Sequence, residues 1–294
     1  MIVVPAAFAA HRIAWSGEAG RRWVEALPEL IRELCVEWGL EAEEAEPLYG
    51  DLGLVVPVRR ARDAYMLKVS WLDDTTMDEA RALRAWDGRG AVRLYAARPE
   101  VGALLLERLA PHRSLRNLDL YSAAEVAGRL MRRLAVPAPG GLRTTRDMAA
   151  GLAESLPCWQ DRAGYPVPPM WLEKARGLAR ELAGSAGDRL VHGDFHYDNV
   201  LAGEREPWLA VDPKPVAGDP EYALPELLWW RADEVGNAEG FRRLLGVLVE
   251  NGQLDAEVAE GWAIVRCVHY WLWGLANGLT KDPARCWRIL EALV

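Results

Sequence analysis

The sequence predicts an α+β protein with a small antiparallel sheet lobe in its N-terminal part and a larger, mainly helical C-terminal lobe. Between residues 46 and 106, short apolar segments of alternating polarity follow one another, which is the pattern of a strand meander. Beyond residue 120, the apolar residues recur at helical spacing. A chain of 294 residues is long enough for two lobes, and we expect them to span residues 1–108 and 109–294.

The N-terminal lobe begins with a predicted helix over residues 18–38, in which Trp23, Leu27 and Leu34 recur at helical spacing. Pro28 is expected to kink this helix, and Gly39 to end it. A second helix is predicted over residues 77–86. Strands are predicted over residues 46–49, 54–58, 64–69, 91–96 and 102–106.

The C-terminal lobe is predicted to consist mostly of helices, separated by connectors that are rich in proline and glycine. The predicted helices cover residues 121–134, 147–156, 170–182, 224–230, 241–249 and 262–279. Two short apolar strands, over residues 200–201 and 208–211, interrupt the helices, and the polar residues 204–207 suit a turn between them. We therefore expect a hairpin in the middle of this lobe.

A pattern of polar residues surrounds this hairpin. His192, Asp194 and Asn199 form the sequence His-x-Asp-x-x-x-x-Asn directly before it, and Asp212 follows it. Phosphoryl transfer from magnesium ATP requires one carboxylate that takes the proton of the acceptor hydroxyl, and an amide and a second carboxylate that bind the metal. We assign the first role to Asp194, and the metal to Asn199 and Asp212. An isolated His-Gly-Asp is a common turn, but the complete pattern with its flanking strands favours catalysis.

The same residues resemble a known family. Residues 192–201, 211–214 and 218–222 are similar to the aminoglycoside phosphotransferases, in the branch that includes streptomycin 6-kinases and hydroxyurea kinases, and the similarity runs from about Tyr49 to the C-terminus. The resemblance implies a two-lobed protein-kinase-like fold. Asp-Pro-Lys-Pro stands at residues 212–215, where protein kinases carry Asp-Phe-Gly, and this favours a small-molecule kinase.

The resemblance also implies residues that bind the nucleotide. Lys68 would hold the α- and β-phosphates of ATP, and Glu79 would pair with it. Alternatively, Glu79 completes a capping box with Thr76 at the start of its helix. The backbone from Glu107 to Leu109 would form the hinge that reads the adenine, unless this segment is an edge strand that ends a few residues later.

Two further features have open interpretations. Gly50 and Gly53 either cover the phosphates or form a simple hairpin turn. Asp219 either braces or caps the loops near the site, or contacts the acceptor. Three acidic residues on the following helices could face a cationic acceptor or could be solvated on a helix surface: Glu226, Asp233 and Glu234.

Composition excludes other classes of function. The formal net charge is −8 and no basic run is present, so nucleic-acid binding is not expected. The acidic balance is compatible with a cationic substrate. The four cysteines are scattered without a Cys-x-x-Cys pair, and residues 1–10 lack a basic leader. We expect a cytoplasmic protein with no membrane partner.

Three functions are therefore considered. The first is an ATP-dependent O-phosphotransferase for a small hydroxylated molecule, such as the aminocyclitol streptomycin, with ATP and Mg²⁺ as cofactors. The second keeps this chemistry but uses another acceptor, namely an amino sugar, hydroxyurea or an unknown metabolite. The third is a nucleotide-binding regulator without catalysis, which the complete set of Asp194, Asn199 and Asp212 disfavours.

Overall fold

The computed structural model describes residues 2–294, and the chain divides into two compact units. The first unit ends at Leu109 and the second spans Ala110–Val294. The boundary thus follows Leu109, whereas the sequence suggested one after residue 108. Each unit has its own secondary structure and its own buried side chains.

The first unit contains one antiparallel sheet and two helices. Its elements are α1 (Ala6–Trp38), β1 (Glu41–Ala42), β2 (Leu48–Tyr49), β3 (Gly53–Arg60), β4 (Asp63–Ser70), α2 (Glu79–Trp86), β5 (Leu94–Arg98) and β6 (Ala103–Glu107). The main path of the sheet runs β1-β3-β4-β6-β5, and β2 pairs with β3. The predicted meander is confirmed, with β1 as an addition that the acidic sequence around it did not suggest.

Helix α1 packs its apolar stripe against this sheet. Leu27, Ile31 and Leu34 are buried in one cluster with side chains of β3 and β4, and Gly39 ends the helix in the left-handed conformation, as predicted. The irregularity lies at Gly17 (φ 57°), not at Pro28, which the helix contains without a break. The helix also begins earlier than expected, because the alanine-rich segment before Gly17 is a good helix former.

The second unit is mainly helical, with two small sheets. Its elements are β7 (Ala110–Ser114), α3 (Leu120–Leu134), α4 (Thr145–Arg162), α5 (Pro169–Ser185), β8 (Arg189–Val191), β9 (Val200–Ala202), β10 (Leu209–Ala210), β11 (Val216–Gly218), α6 (Leu224–Trp230), α7 (Ala238–Gly252), α8 (Ala256–Ala276) and α9 (Lys281–Leu293). One sheet has the order β10-β9-β7, and the other pairs β11 with β8.

Helix α3 packs against α7, helices α4 and α5 pack against each other and against α8, and α9 packs against α7 and α8. Helix α9 was not predicted, and the predicted end of α8 at residue 279 lies three residues beyond the observed one. Helix α9 packs on α8 through Trp287, whose ring centroid lies 5.1 Å from that of Trp271. Among the helices of residues 2–294, none combines the length and apolar character that crossing a bilayer requires.

Candidate active site

The hairpin of β9 and β10 places Asn199 and Asp212 at the same end of two paired strands. Leu209 pairs with Leu201, and Ala210 pairs with Val200, in antiparallel register. Beyond this register, the backbone N–H of residue 211 donates to the carbonyl of Asn199 at 2.9 Å. The predicted hairpin is therefore confirmed, and it brings the segment that carries Asp212 next to Asn199.

A second contact ties the loop of Asp194 to the same segment. Gly193 has φ +73°, and a Cβ atom on it would overlap the carbonyl oxygen of Lys214. The backbone N–H of Lys214 donates to the carbonyl of His192 at 2.8 Å. Glycine is needed here both for the left-handed conformation and for the close approach of the two backbones.

Asp194 lies within a set of polar contacts. Its Oδ2 atom is 2.8 Å from Nζ of Lys214, and its Oδ1 atom is 4.0 Å from Nε2 of His196. The side-chain amide of Asn199 donates to the backbone carbonyl of Asp194 at 2.9 Å. The sequence interpretation assigned no role to Lys214, although its place two residues after Asp212, in Asp-Pro-Lys-Pro, was a usable signal.

The donor atoms of this site suit a hard cation. Asn199 uses its amide nitrogen in the loop, so its Oδ1 atom is the group that can bind a metal, and Asp212 supplies a carboxylate. Asp212 has φ +57°, a strained conformation that is common at functional sites. Within residues 2–294, no group of three or more His, Cys, Asp and Glu side chains could hold a metal. The amide oxygen of Asn199 and the carboxylate of Asp212 are hard oxygen donors of the kind that Mg²⁺ takes, with phosphates and water to complete its shell.

Burial controls the charges of the two histidines beside Asp194. Burial lowers the pKa of His192 to about 4, so the ring is neutral, and its Nε2–H donates to the carbonyl of Val211 at 2.9 Å. Burial also lowers the pKa of His196, which stacks on Trp230 with ring centroids 3.7 Å apart. His192 thus braces the loop against the segment that precedes Asp212.

In the first unit, Lys68 and Glu79 form a buried ion pair. Nζ of Lys68 lies 2.7 Å from each carboxylate oxygen of Glu79. Thr76 does not cap α2, because the N-cap position is Asp78 and the hydroxyl oxygen of Thr76 accepts from the N–H of Asp73 at 3.1 Å. The geometry therefore matches the ion pair and not the capping box, and α2 begins at Glu79 rather than at residue 77.

Two loops near this pair also have defined geometry. The N–H of Gly50 donates to the carbonyl of Gly53 at 3.1 Å and closes a hairpin turn. A Cβ atom on Gly53 would lie 3.1 Å from Oγ of Ser70 and 3.5 Å from Cε of Lys68, so a side chain here would crowd the serine more than the lysine. At the end of β6, the N–H of Glu107 donates to the carbonyl of Arg93, and the reading of an adenine by the backbone of residues 107–109 stays a prediction.

Comparisons with known proteins identify the family. Residues 38–278 match the family described as aminoglycoside/hydroxyurea antibiotic resistance kinase. The chain belongs to this family. It is 40% identical to a hydroxyurea phosphotransferase of Kitasatospora aureofaciens, over 100% of this chain and 86% of that protein. It is 37% identical to a streptomycin 6-kinase of Streptomyces griseus, over 99% of this chain and 97% of that one.

The fold is also that of a kinase. A solved aminoglycoside phosphotransferase in a ternary complex with ADP and hygromycin B matches 89% of this chain and 97% of its own, with a TM-score of 0.62 and 15% identity. The α+β, protein-kinase-like fold predicted from the sequence is thus confirmed, and the chain is a small-molecule kinase. The acceptor of this kinase and the roles of its site residues are proposals.

The acidic residues suggested for the acceptor have other contacts in this kinase. Asp219 is buried; its Oδ1 accepts from the N–H of Gly187 at 2.6 Å, and its Oδ2 accepts from Nε1 of Trp262 at 3.2 Å. Both oxygens therefore brace the loop after α5 against α8. This geometry matches the bracing interpretation of Asp219, and an acceptor contact through it stays a prediction.

The other three carboxylates form ion pairs. Asp233 pairs with Arg285, and Glu234 pairs with Arg231. Glu226 is buried and lies 2.7 Å from Arg266, so it is not on an exposed acidic surface. The suggestion that these residues face a cationic acceptor stays a prediction.

Two histidines of this kinase, the buried His192 and the partly buried His269, predict an acid-sensitive fold. Burial lowers the pKa of both His192 and His269 to about 4, from an unfolded value of 6.5. Between these values the unfolded chain binds more protons than the folded one, so the free energy of unfolding falls as the pH is lowered from 6.5 towards 4. From pH 7 to pH 5, each histidine is expected to remove about 2 kcal/mol.

Urea unfolding at pH 7 and pH 5 measures this effect. His269→Gln, which lies on α8 beside Trp159, should reduce the loss between the two pH values by about 2 kcal/mol relative to wild type. His112→Gln, on an exposed part of the same unit, is the control and should leave the loss unchanged. An equal loss in His269→Gln and wild type would contradict the prediction.

Proposed function

We propose that this kinase is an ATP-dependent O-phosphotransferase for a hydroxyl group of a small molecule, with an aminocyclitol such as streptomycin as the leading acceptor. The observation that supports this best is the connection of Asp194, Asn199 and Asp212 through one hairpin and one glycine turn. The relatives named as a streptomycin 6-kinase and a hydroxyurea phosphotransferase support the class of acceptor.

In the proposed reaction, Asp194 accepts the proton of the acceptor hydroxyl through a carboxylate oxygen. The acceptor oxygen forms a bond to the γ-phosphorus, and the bond from this phosphorus to the bridging oxygen breaks, so ADP leaves. Lys68, held by Glu79, positions the α- and β-phosphates, and the main chain of Leu109 reads the adenine. Mg²⁺ bound to Asn199 and Asp212 would supply positive charge that neutralises the phosphates.

Catalysis would then consist mainly of positioning and electrostatics. The protein forms no covalent intermediate in this scheme, so the rate depends on how firmly each group is held. The bond from His192 to residue 211 and the bond from Asn199 to the backbone of Asp194 serve this purpose.

Hydroxyurea is the second candidate acceptor. It is favoured by the 40% identity to a hydroxyurea phosphotransferase along the whole of this chain. The ion pairs of Asp233 and Glu234 also favour it, because they occupy carboxylates that a large cation would otherwise use. Both candidates use the same catalytic residues and differ in the part of the second unit that binds the acceptor.

An acceptor screen tests the proposal. Purified enzyme, ATP and Mg²⁺ are incubated with streptomycin, hydroxyurea and a set of amino sugars, and ADP release is measured together with the product mass. We expect one acceptor to gain a single phosphoryl group, with no turnover when Mg²⁺ is removed. Urea, which lacks the hydroxyl, is the matched control for hydroxyurea. Nucleotide binding without product from any acceptor would instead support a regulator.

A further inference from the structure

Lys214 has no role in the reaction proposed above, although it lies beside the candidate base. Its Nζ atom is 2.8 Å from Oδ2 of Asp194. The ammonium group of a lysine carries a positive charge at neutral pH. Lys214 therefore places a cation beside the candidate base.

The backbone around Lys214 is held as firmly as the loop of Asp194. Its N–H donates to the carbonyl of His192, and its own carbonyl fills the space that a side chain at Gly193 would occupy. A flexible surface lysine has no such support. The fold thus fixes the backbone position from which the Lys214 side chain extends towards the carboxylate of Asp194.

His196 is the other nitrogen-containing side chain close to Asp194, and it does not make the same contact. Its Nε2 atom is 4.0 Å from Oδ1, beyond hydrogen-bond distance, and its ring is stacked on Trp230. Lys214 lies at 2.8 Å, within hydrogen-bond distance of the carboxylate. The cationic group near the attacking oxygen comes from the segment after Asp212.

We propose that Lys214 is a second catalytic lysine, which binds the γ-phosphoryl group during transfer while it holds Asp194 by one carboxylate oxygen. The inference rests on the proposed function and extends it to the charge on the transferred group. It differs from the role of Lys68, which holds the α- and β-phosphates and pairs with Glu79.

The chemistry of an ammonium group supports this role. It has three N–H donors, of which Oδ2 of Asp194 uses one, so donors remain for phosphoryl oxygens. Oδ1 is left to receive the proton of the acceptor hydroxyl. The acceptor oxygen bonds to phosphorus, the bond to ADP breaks, the proton moves to Asp194, and Lys214 remains protonated throughout. Its charge also reduces the repulsion between Asp194 and the incoming triphosphate.

Binding of a transition-state mimic tests the proposal without knowledge of the acceptor. ADP with Mg²⁺ and aluminium fluoride imitates the phosphoryl group in transfer, and its affinity is compared with that of ADP and Mg²⁺ by calorimetry. In Lys214→Met, we expect ADP to bind as in wild type and the aluminium fluoride complex to bind about 100-fold more weakly. Lys174→Met, at an exposed lysine of α5, is the control and should bind both as wild type does.

A variant that keeps the charge separates this role from a purely structural one. Lys214→Arg should retain more affinity for the aluminium fluoride complex than Lys214→Met, and it serves as the test if the methionine variant does not fold. Equal weakening of ADP and the complex in these variants, or no weakening of either, would overturn the proposal. If wild type bound no aluminium fluoride complex and phosphorylated no acceptor, the proposed function itself would fail.

Discussion

Asp194→Asn is expected to lower kcat by about 10²–10⁴-fold, the usual contribution of a general base. The amide of asparagine can occupy the same space and form hydrogen bonds, but it cannot take the proton of the acceptor hydroxyl. The affinity for ATP and Mg²⁺ should remain close to that of wild type, because Lys68 and the metal residues are unchanged. Steady-state kinetics with the acceptor found in the screen, together with nucleotide calorimetry, measures both quantities.

Asp188→Asn is the matched control for this variant. Asp188 lies just before β8, six residues from Asp194, and its side chain is 91% exposed. The same chemical change at this position should leave kcat unchanged. Full turnover in Asp194→Asn would refute the assignment of Asp194 as the base, and a loss of similar size in Asp188→Asn would show that the effect is not specific.

Lys68→Met is expected to have two large effects. It leaves the carboxylate of Glu79 buried without its ammonium partner, and such a loss costs about 3–5 kcal/mol of the free energy of unfolding. It also removes a cation from the α- and β-phosphates, for which we expect kcat to fall about 10²–10³-fold. Urea unfolding and steady-state kinetics measure the two effects separately.

The double variant Lys68→Met/Glu79→Leu separates stability from activity. Replacing both members of a buried ion pair by apolar residues of similar size is often neutral or stabilising, so the double variant should regain most of the free energy of unfolding that Lys68→Met lost. Its kcat should stay as low as that of the single variant. Recovery of kcat together with stability would show that Lys68 acts only through the fold.

Much of the fold was accessible from the sequence because its signals are local. Alternating apolar residues predicted β3 and β4, and the spacing of apolar residues predicted α3 and α6 with bounds close to those observed. The hairpin of β9 and β10 was predicted for the same reason. The pattern around Asp194 carries its chemistry in a few adjacent residues, so the candidate site could be located before any geometry was known.

What the sequence did not predict depends on contacts between distant segments. Lys214 reaches Asp194 only because a backbone bond and a glycine bring two loops together. The sequence alone suggests that Glu226 is a charged residue on a helix surface. In the structure it forms an ion pair with Arg266, 40 residues later. The end of α8 was placed three residues too late, because nothing in its apolar pattern marks the end at Ala276. Such pairings follow from tertiary structure and not from local spacing.

The close fit of Gly193 against Lys214 has a consequence for how new acceptors can arise in this family. Because the two backbones touch, the loop of Asp194 and the segment of Asp212 cannot shift independently. Under the proposed function, substitutions on the helices of the second unit would change the choice of acceptor while the distances between the reactive groups stay constant. A change of acceptor would then need no new adjustment of these groups.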